Sequence, residues 1–174
     1  IQIIDIGGKD KFKVEFPNLV NLEGFSEVRA LGFIRDAESQ KAESAFSSIC
    51  GILKKNGLPV PKNINTIISE EGRKIGIFIM PNNIDAGMLE DLCIESIKTN
   101  QVFECVEQYI ECCSSHLSEK GKAFNRSKAK IQTYLASQKP IVSSLGVAAQ
   151  NGYWNFKEDC FSEIKQFLHN LFKK

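Results

Sequence analysis

No apolar run in this 174-residue chain approaches the eighteen or so residues that a spanning helix requires, so no membrane segment is expected. Charge of one sign is not in excess either. Lysine and arginine number 22 against 21 aspartates and glutamates, a net charge of +1. That balance gives no global attraction to nucleic acid, and any such binding must come from a local patch. Histidine is scarce, and His116 and His169 have no ligand spacing to each other or to a cysteine pair. The six cysteines (Cys50, Cys93, Cys105, Cys112, Cys113 and Cys160) include no C-x-x-C pair, and no leader-like segment opens the sequence. A reduced, cytoplasmic setting is therefore expected, with the thiols acting as small, mostly buried apolar side chains. Also missing are a G-x-S-x-G elbow, a Ser/His/Asp order, internal repeats and low-complexity stretches.

What remains is ordinary globular composition, 43% apolar and 25% charged, enough for one compact domain with a real core. Ile1–Ile6 is apolar enough for a buried strand and stops at Gly7-Gly8. Residues 12–22 read as a short helix interrupted or restarted at Pro17, and 28–34 as a second strand. In the next helix, 42–53, Ala42, Ala45, Phe46, Ile49, Ile52 and Leu53 form one stripe, closed by Asn56-Gly57. Residues 64–69 and 74–80 flank Glu70-Glu71-Gly72-Arg73 as a hairpin, its second arm apolar on both faces and therefore central. From Gly87 the pattern is helical, over 87–98, 100–116, 122–136 and 157–172, with looser structure at 138–156. The expectation is α/β: a sheet core over 1–98 and a helical part over 99–174 of a single domain.

Chemistry concentrates at Leu31–Glu38, an apolar run that delivers Asp36 and Glu38 just beyond its end. Carboxylates at the carboxyl end of a strand, before a helix, sit where open α/β sheets place ligands, and two hard oxygen donors suit Mg²⁺ or Mn²⁺. The competing reading makes Asp36 an N-cap of the following helix. Arg35 beside them either neutralises the pair or contacts a phosphate. A second acidic group, in Met88–Glu95, follows the central strand. Glu90 shares a helical face with Ile94 and Ile97 and is costly to bury without a balancing cation, whereas Asp91 and Glu95 read as solvated. An acidic first turn offsetting the helix dipole explains the same residues. Lys128 falls on a stripe with Phe124, Ile131 and Leu135, while Lys130 points away. It is either a snorkelling lysine or one that reaches carboxylates or a scissile phosphate. Gly7-Gly8-Lys9 invites a phosphate-loop reading but fails the Walker pattern, since Asp10 stands where Ser or Thr should follow the lysine. A tight glycine turn near the active edge still fits. Tyr153-Trp154 with Phe156 reads as an aromatic dock for the tail, or as an edge for stacking on a base.

Ile4–Phe12, Ala30–Glu38, Phe78–Asn82 with Gly87–Cys93, Ser127–Ala136 and Gly152–Phe156, in that order, resemble a bacterial Toprim-like family of unassigned function, related to the Toprim domains of OLD-family nucleases. The resemblance implies a mostly parallel sheet flanked by helices and a divalent-metal site acting on nucleic acid. Asp36-Ala37-Glu38 is similar to the family's Asp-x-Asp motif with Glu in its final place. Glu90 matches the further acid of the OLD-type pattern, and Lys128 its lysine. The Glu-Gly motif of the first Toprim strand has no counterpart, so either an N-terminal strand and helix are missing, which is the expectation, or the site is the remnant of a metal centre. The functional expectation is a Mg²⁺- or Mn²⁺-dependent nuclease with metal ligands Asp36, Glu38 and Glu90, Lys128 as the catalytic cation, and Gly7, Gly8, Lys9 and Arg35 on phosphate. The alternative is a non-catalytic Toprim-like module binding nucleic acid or protein, with a protein partner or a homo-oligomer open.

Overall fold

A computed structural model describes residues 1–118 and 124–173. Helix α1 (Lys9–Val20) and a 3₁₀ turn (Phe25–Glu27) precede strand β1 (Ala30–Asp36), and helix α2 (Ala42–Lys55) follows it. Strands β2 (Ile67–Glu70) and β3 (Arg73–Met80) come next, and helices α3 (Leu89–Ile97), α4 (Gln101–Ser118), α5 (Arg126–Ala136), α6 (Leu145–Gln150) and α7 (Ser162–Phe172) complete the order. The sheet has three strands in the order β1-β3-β2. β1 runs parallel to β3, with Ala30 opposite Lys74 and Asp36 opposite Met80, while β2 is antiparallel to β3. The expected mostly parallel sheet is thus a small mixed sheet flanked by helices.

β3 is central, as its two-faced apolarity requires, and Ile75–Met80 are buried. Its residues alternate between two cores. Ile75, Ile77 and Ile79 pack with Phe12 and Phe16 of α1 and with Ala42, Ala45, Ile49 and Leu53 of α2. Phe78 and Met80 face the other way, into a core with α3, α4, α5 and α7. The hairpin turns through Glu71 (φ 50°) and Gly72 (φ 76°), the two left-handed residues that a tight two-residue connection demands. α2 ends as its sequence signals. Gly57 (φ 72°) donates to the Lys54 carbonyl, and the Leu58 N–H reaches back to Leu53 at 3.0 Å.

Several boundaries differ from expectation. Residues 1–6 form no strand, and Ile1 and Ile3 are 94% and 92% exposed. Apolar composition alone does not supply a pairing partner. β1 begins at Ala30 rather than 28 and continues through Asp36, because pairing with β3 extends its ladder. Pro17 neither breaks nor restarts α1, which stays continuous while burying Phe12 and Phe16. Phe12, Phe16 and Phe33 pack ring to ring at 5.1–5.8 Å, and that packing offsets the hydrogen bond proline cannot donate. The loose stretch 138–156 contains α6, capped by the Ser144 hydroxyl. The helix expected over 122–136 begins at Arg126, and positions 122 and 123 lie outside the described residues. The tail docks through Trp154, which is buried, donates from Nε1 to the Leu145 carbonyl at 3.0 Å and packs on Tyr134. All six cysteines are free, but only Cys93 is buried, while Cys105 and Cys112 are exposed on α4. Among the described residues no helix is long and apolar enough to cross a membrane.

Close approach of α7 to the sheet depends on two glycines that face each other across the parallel ladder, Gly32 and Gly76. A Cβ at Gly32 would stand 2.6 Å from the Leu171 side chain, and one at Gly76 would stand 2.8 Å from the Phe167 ring. Their absence lets Phe167 and Leu171 lie directly on the backbone of β1 and β3.

Candidate functional site

Strand alternation decides which β1 side chains can meet at its carboxyl end. Arg35 and Asp36 point to opposite faces. The Arg35 guanidinium turns toward α2 and donates to the Ser48 hydroxyl at 3.3 Å, away from the carboxylates, so it is not in the cluster. Asp36 faces the side covered by α3 and α7, and its Oδ1 accepts the N–H of Leu89, the first residue of α3, at 3.0 Å. The expected capping of the helix after β1 does not occur. Asp36 instead satisfies an N-terminal donor of the later helix α3.

A backbone clamp brings α3 there. Glu38 takes φ 60°, and it exchanges two 2.8 Å hydrogen bonds with Gly87. Gly87 has φ 144°, and a Cβ on it would meet Asp91 Oδ2 at 2.8 Å and Pro81 at 3.0 Å, so only glycine fits without displacement. The loop between β3 and the clamp is held by Asn83, buried at 4% exposure, whose Oδ1 accepts the Ile79 N–H at 2.7 Å. This side chain takes the place of a strand partner where β2 no longer accompanies β3.

α5 is then tied to the start of α3. Asp91 accepts the Met88 N–H at 2.8 Å through Oδ2 and the Ser127 hydroxyl through Oδ1. Asn125 caps α5 by accepting the Lys128 N–H at 2.9 Å, and its amide approaches the Met88 sulfur at 3.5 Å. The first turn of α5, with Lys128, is thereby anchored to the first turn of α3, with Glu90. Asp91 is not the solvated acid expected from its helical position, whereas Glu95 is exposed and pairs with Lys98.

Electrostatics register the convergence. Burial pushes the Asp36 carboxyl above its usual range. The Leu89 N–H pulls it back, the charges of Glu90 and then Glu38 raise it, and Lys128 lowers it. Charged groups from the segment after β1, from α3 and from α5 thus act on the one half-buried carboxylate of β1. Glu38 is itself engaged by Lys9 at the start of α1, Nζ to Oε2 3.2 Å, so this lysine faces a carboxylate. Gly7 (φ 74°) and Gly8 (φ 106°) form the turn into α1, with the Gly7 N–H held by Asp5 Oδ1 at 2.7 Å. Lys128 is exposed, not packed inward. The lysine against the helices is Lys130, which pairs with Glu107 at 2.6 Å and lies over the Phe103 ring, contrary to the expected outward direction. Burial, with Glu90 adding, pushes the Cys93 thiol up to about 12, which keeps it protonated and unreactive.

Among the described residues no three carboxylate, histidine or cysteine side chains stand close enough to form a group that holds a metal ion. Mg²⁺ keeps several waters and commonly takes one or two protein carboxylates together with substrate phosphates. One oxygen of Asp36 is committed to Leu89, and the repulsion from Glu90 and Glu38 is what a cation would relieve.

The sequence pointed to no role for Asn83, Gly87, Asn125 or Ser127 and took Asp91 as solvated, although Gly87 just before a helix and the Met88-x-x-Asp91 spacing were the available signals. No curated protein and no solved structure matches the chain. A family model does match it, over residues 1–173, and the chain belongs to that family, DUF3226, described as a protein of unknown function.

Proposed function

We propose that this chain is a Toprim-like enzyme of metal-assisted phosphoryl transfer on nucleic acid, most simply a nuclease, working in the cytoplasm. The observation that carries the reading is the Asp36 carboxyl, on which the charges of Glu38, Glu90 and Lys128 all act. Asp36 and Glu90, with Glu38 beside them, would hold Mg²⁺ or Mn²⁺. The ion when bound supplies a lowered water pKa and neutralises phosphate charge. Asp36, anchored to Leu89, offers a fixed acceptor oxygen, and Glu90, on the first turn of α3, would offer another. Lys128 is exposed, so its ammonium could contact a phosphate oxygen, and its charge would oppose the negative charge that develops during transfer. Lys9 and the Gly7-Gly8 turn border the same edge and would position the backbone of the nucleic acid once Glu38 is drawn to the cation.

A plasmid-nicking and single-strand cleavage assay with Mg²⁺ or Mn²⁺ tests this. Metal-dependent cleavage is expected, reduced about 100-fold or more by Asp36→Asn or Glu90→Gln, with Lys128→Met lowering kcat more than it raises KM. Cleavage unaffected by Asp36→Asn, or none on any of these substrates, overturns the enzyme reading. The Lys9–Glu38 pair favours the second reading, a binding module whose charges neutralise one another. That reading requires retention of nucleic acid without cleavage.

A further inference from the structure

A groove of about 450 Å³ runs between α7 and the β2–β3 side of the sheet. Pockets of that size hold small organic ligands. Its floor is apolar, made by Ile67 of β2, Phe78 of β3 and Phe167 of α7. Phe78 and Phe167 are only 1% and 9% exposed, so the floor presents no open ring face for a sugar to stack on.

Asn83 stands in the wall of this groove, and the fold uses only half of its amide. Oδ1 accepts the Ile79 N–H at 2.7 Å, which places Nδ2 at the other end. Among the described residues Nδ2 donates to nothing, yet the protein does not seal it off, so it opens into the groove. Asn83 is 4% exposed, and a donor so far from bulk water requires an acceptor nearby. The opposite rim is α7. There the Gln166 amide donates to Asn170 Oδ1 at 2.9 Å, and with either orientation of the pair one acceptor and one donor are left over. Glu163, three residues earlier, is exposed, has no partner among the described residues and is the one charged side chain of the groove.

We propose that this groove binds a nucleobase bearing an exocyclic amine: adenine, guanine or cytosine. Each combines a flat apolar body with an acceptor and an amino donor on one edge. The body lies on the apolar floor, a ring nitrogen or carbonyl accepts from Asn83 Nδ2, and the amine donates to Glu163. Gln166 and Asn170 meet whatever donors and acceptors remain. Thymine and uracil carry no amine for Glu163. The same carboxylate repels a phosphate, so the sugar-phosphate part of a nucleotide points out to solvent. The proposal names the part of a nucleic acid that is recognised, and it rests on the phosphoryl-transfer reading for its setting.

Titration of the whole chain, free of metal, with adenosine, guanosine, cytidine and thymidine tests it, followed by calorimetry or saturation-transfer NMR. At least one of the first three is expected to bind with Kd below about 1 mM, and thymidine at least ~10-fold more weakly. Glu163→Gln, at an exposed position, is expected to weaken the amino-bearing nucleoside at least ~10-fold. Asn83→Asp keeps an oxygen for the Ile79 N–H and removes the free donor, and a similar loss is expected. Far-UV circular dichroism shows whether it stays folded, and if it does not, Glu163→Gln decides. No binding up to about 10 mM overturns the proposal, as does thymidine binding equally well or binding that Glu163→Gln leaves unchanged. Glucose binding that Glu163→Gln abolishes also overturns it and assigns the groove to a sugar. Nucleoside binding by a chain that never cleaves nucleic acid removes the enzyme reading alone, and cleavage without nucleoside binding removes the groove alone.

Discussion

Asp36 is the residue on which local chemistry and global fold meet. Its carboxyl is raised chiefly by burial, with Glu90 and Glu38 adding and the Leu89 N–H and Lys128 opposing. A raised carboxyl means that the folded state holds the proton more tightly than the unfolded chain does. The ionised form therefore carries a stability penalty, present above the folded pKa and gone once the pH falls below the unfolded value of about 4. Asp36→Asn keeps an oxygen to accept the Leu89 N–H while removing the charge. It is expected to stabilise the protein at pH 7 by a few tenths of a kcal/mol to about 1 kcal/mol. Urea titrations should show that gain shrinking toward pH 4. A measured gain would mark Asp36 as a residue kept at a cost to stability, as functional sites commonly are. Legibility at this scale was uneven. Asp36, Glu38 and Glu90 were visible because an apolar run ending in acids is a local pattern. The direction of Arg35 was not legible, because it depends on the strand's alternation and on Ser48, thirteen residues away.

At the scale of elements, the contact of α7 with the sheet rests on the facing pair Gly32 and Gly76. The two positions differ in what stands above them. Leu171 offers the tip of a flexible side chain to a Cβ at Gly32, whereas Gly76 faces a ring atom of Phe167 at 2.8 Å and Ile67 at 3.0 Å. Phe167 is buried, and it stacks on Phe78 at 5.5 Å, so it has little room to retreat. Gly76→Val should therefore destabilise by about 1–3 kcal/mol, and Gly32→Ala by less, as read from urea midpoints at unchanged m-value. The helices other than α6 were legible from apolar periodicity, and the end of α2 from its Asn-Gly pair. The β1 boundary was not, since no turn residue marks either end of 28–36 and only pairing with β3 selects Ala30–Asp36.

Across the whole molecule, β3 divides two cores, and the C-terminal helices belong to one of them. Phe78 and Met80 share a core with Leu92, Phe103, Ile131, Leu135, Trp154 and Leu171, so residues beyond 98 pack on the sheet and not only on one another. Such sharing predicts one cooperative unfolding unit. Fluorescence of Trp154, the single tryptophan, reports on the C-terminal helices, and far-UV circular dichroism reports on the whole chain. The two urea transitions are expected to coincide, whereas separated midpoints would divide the chain into independent parts.

The amino-acid sequence alone determined the helices other than α6, the central hairpin and the presence of acids at the end of an apolar strand. Those are short-range properties, set by periodicity, turn chemistry and composition within a few residues. Tertiary structure alone decided that Ile1–Ile6 stays unpaired, that Asp36 serves the helix beginning 53 positions away, and that Lys9 meets Glu38 while Lys130 turns inward to Glu107. Each of those depends on a partner distant along the chain. Its position exists only once the sheet and the helices have packed.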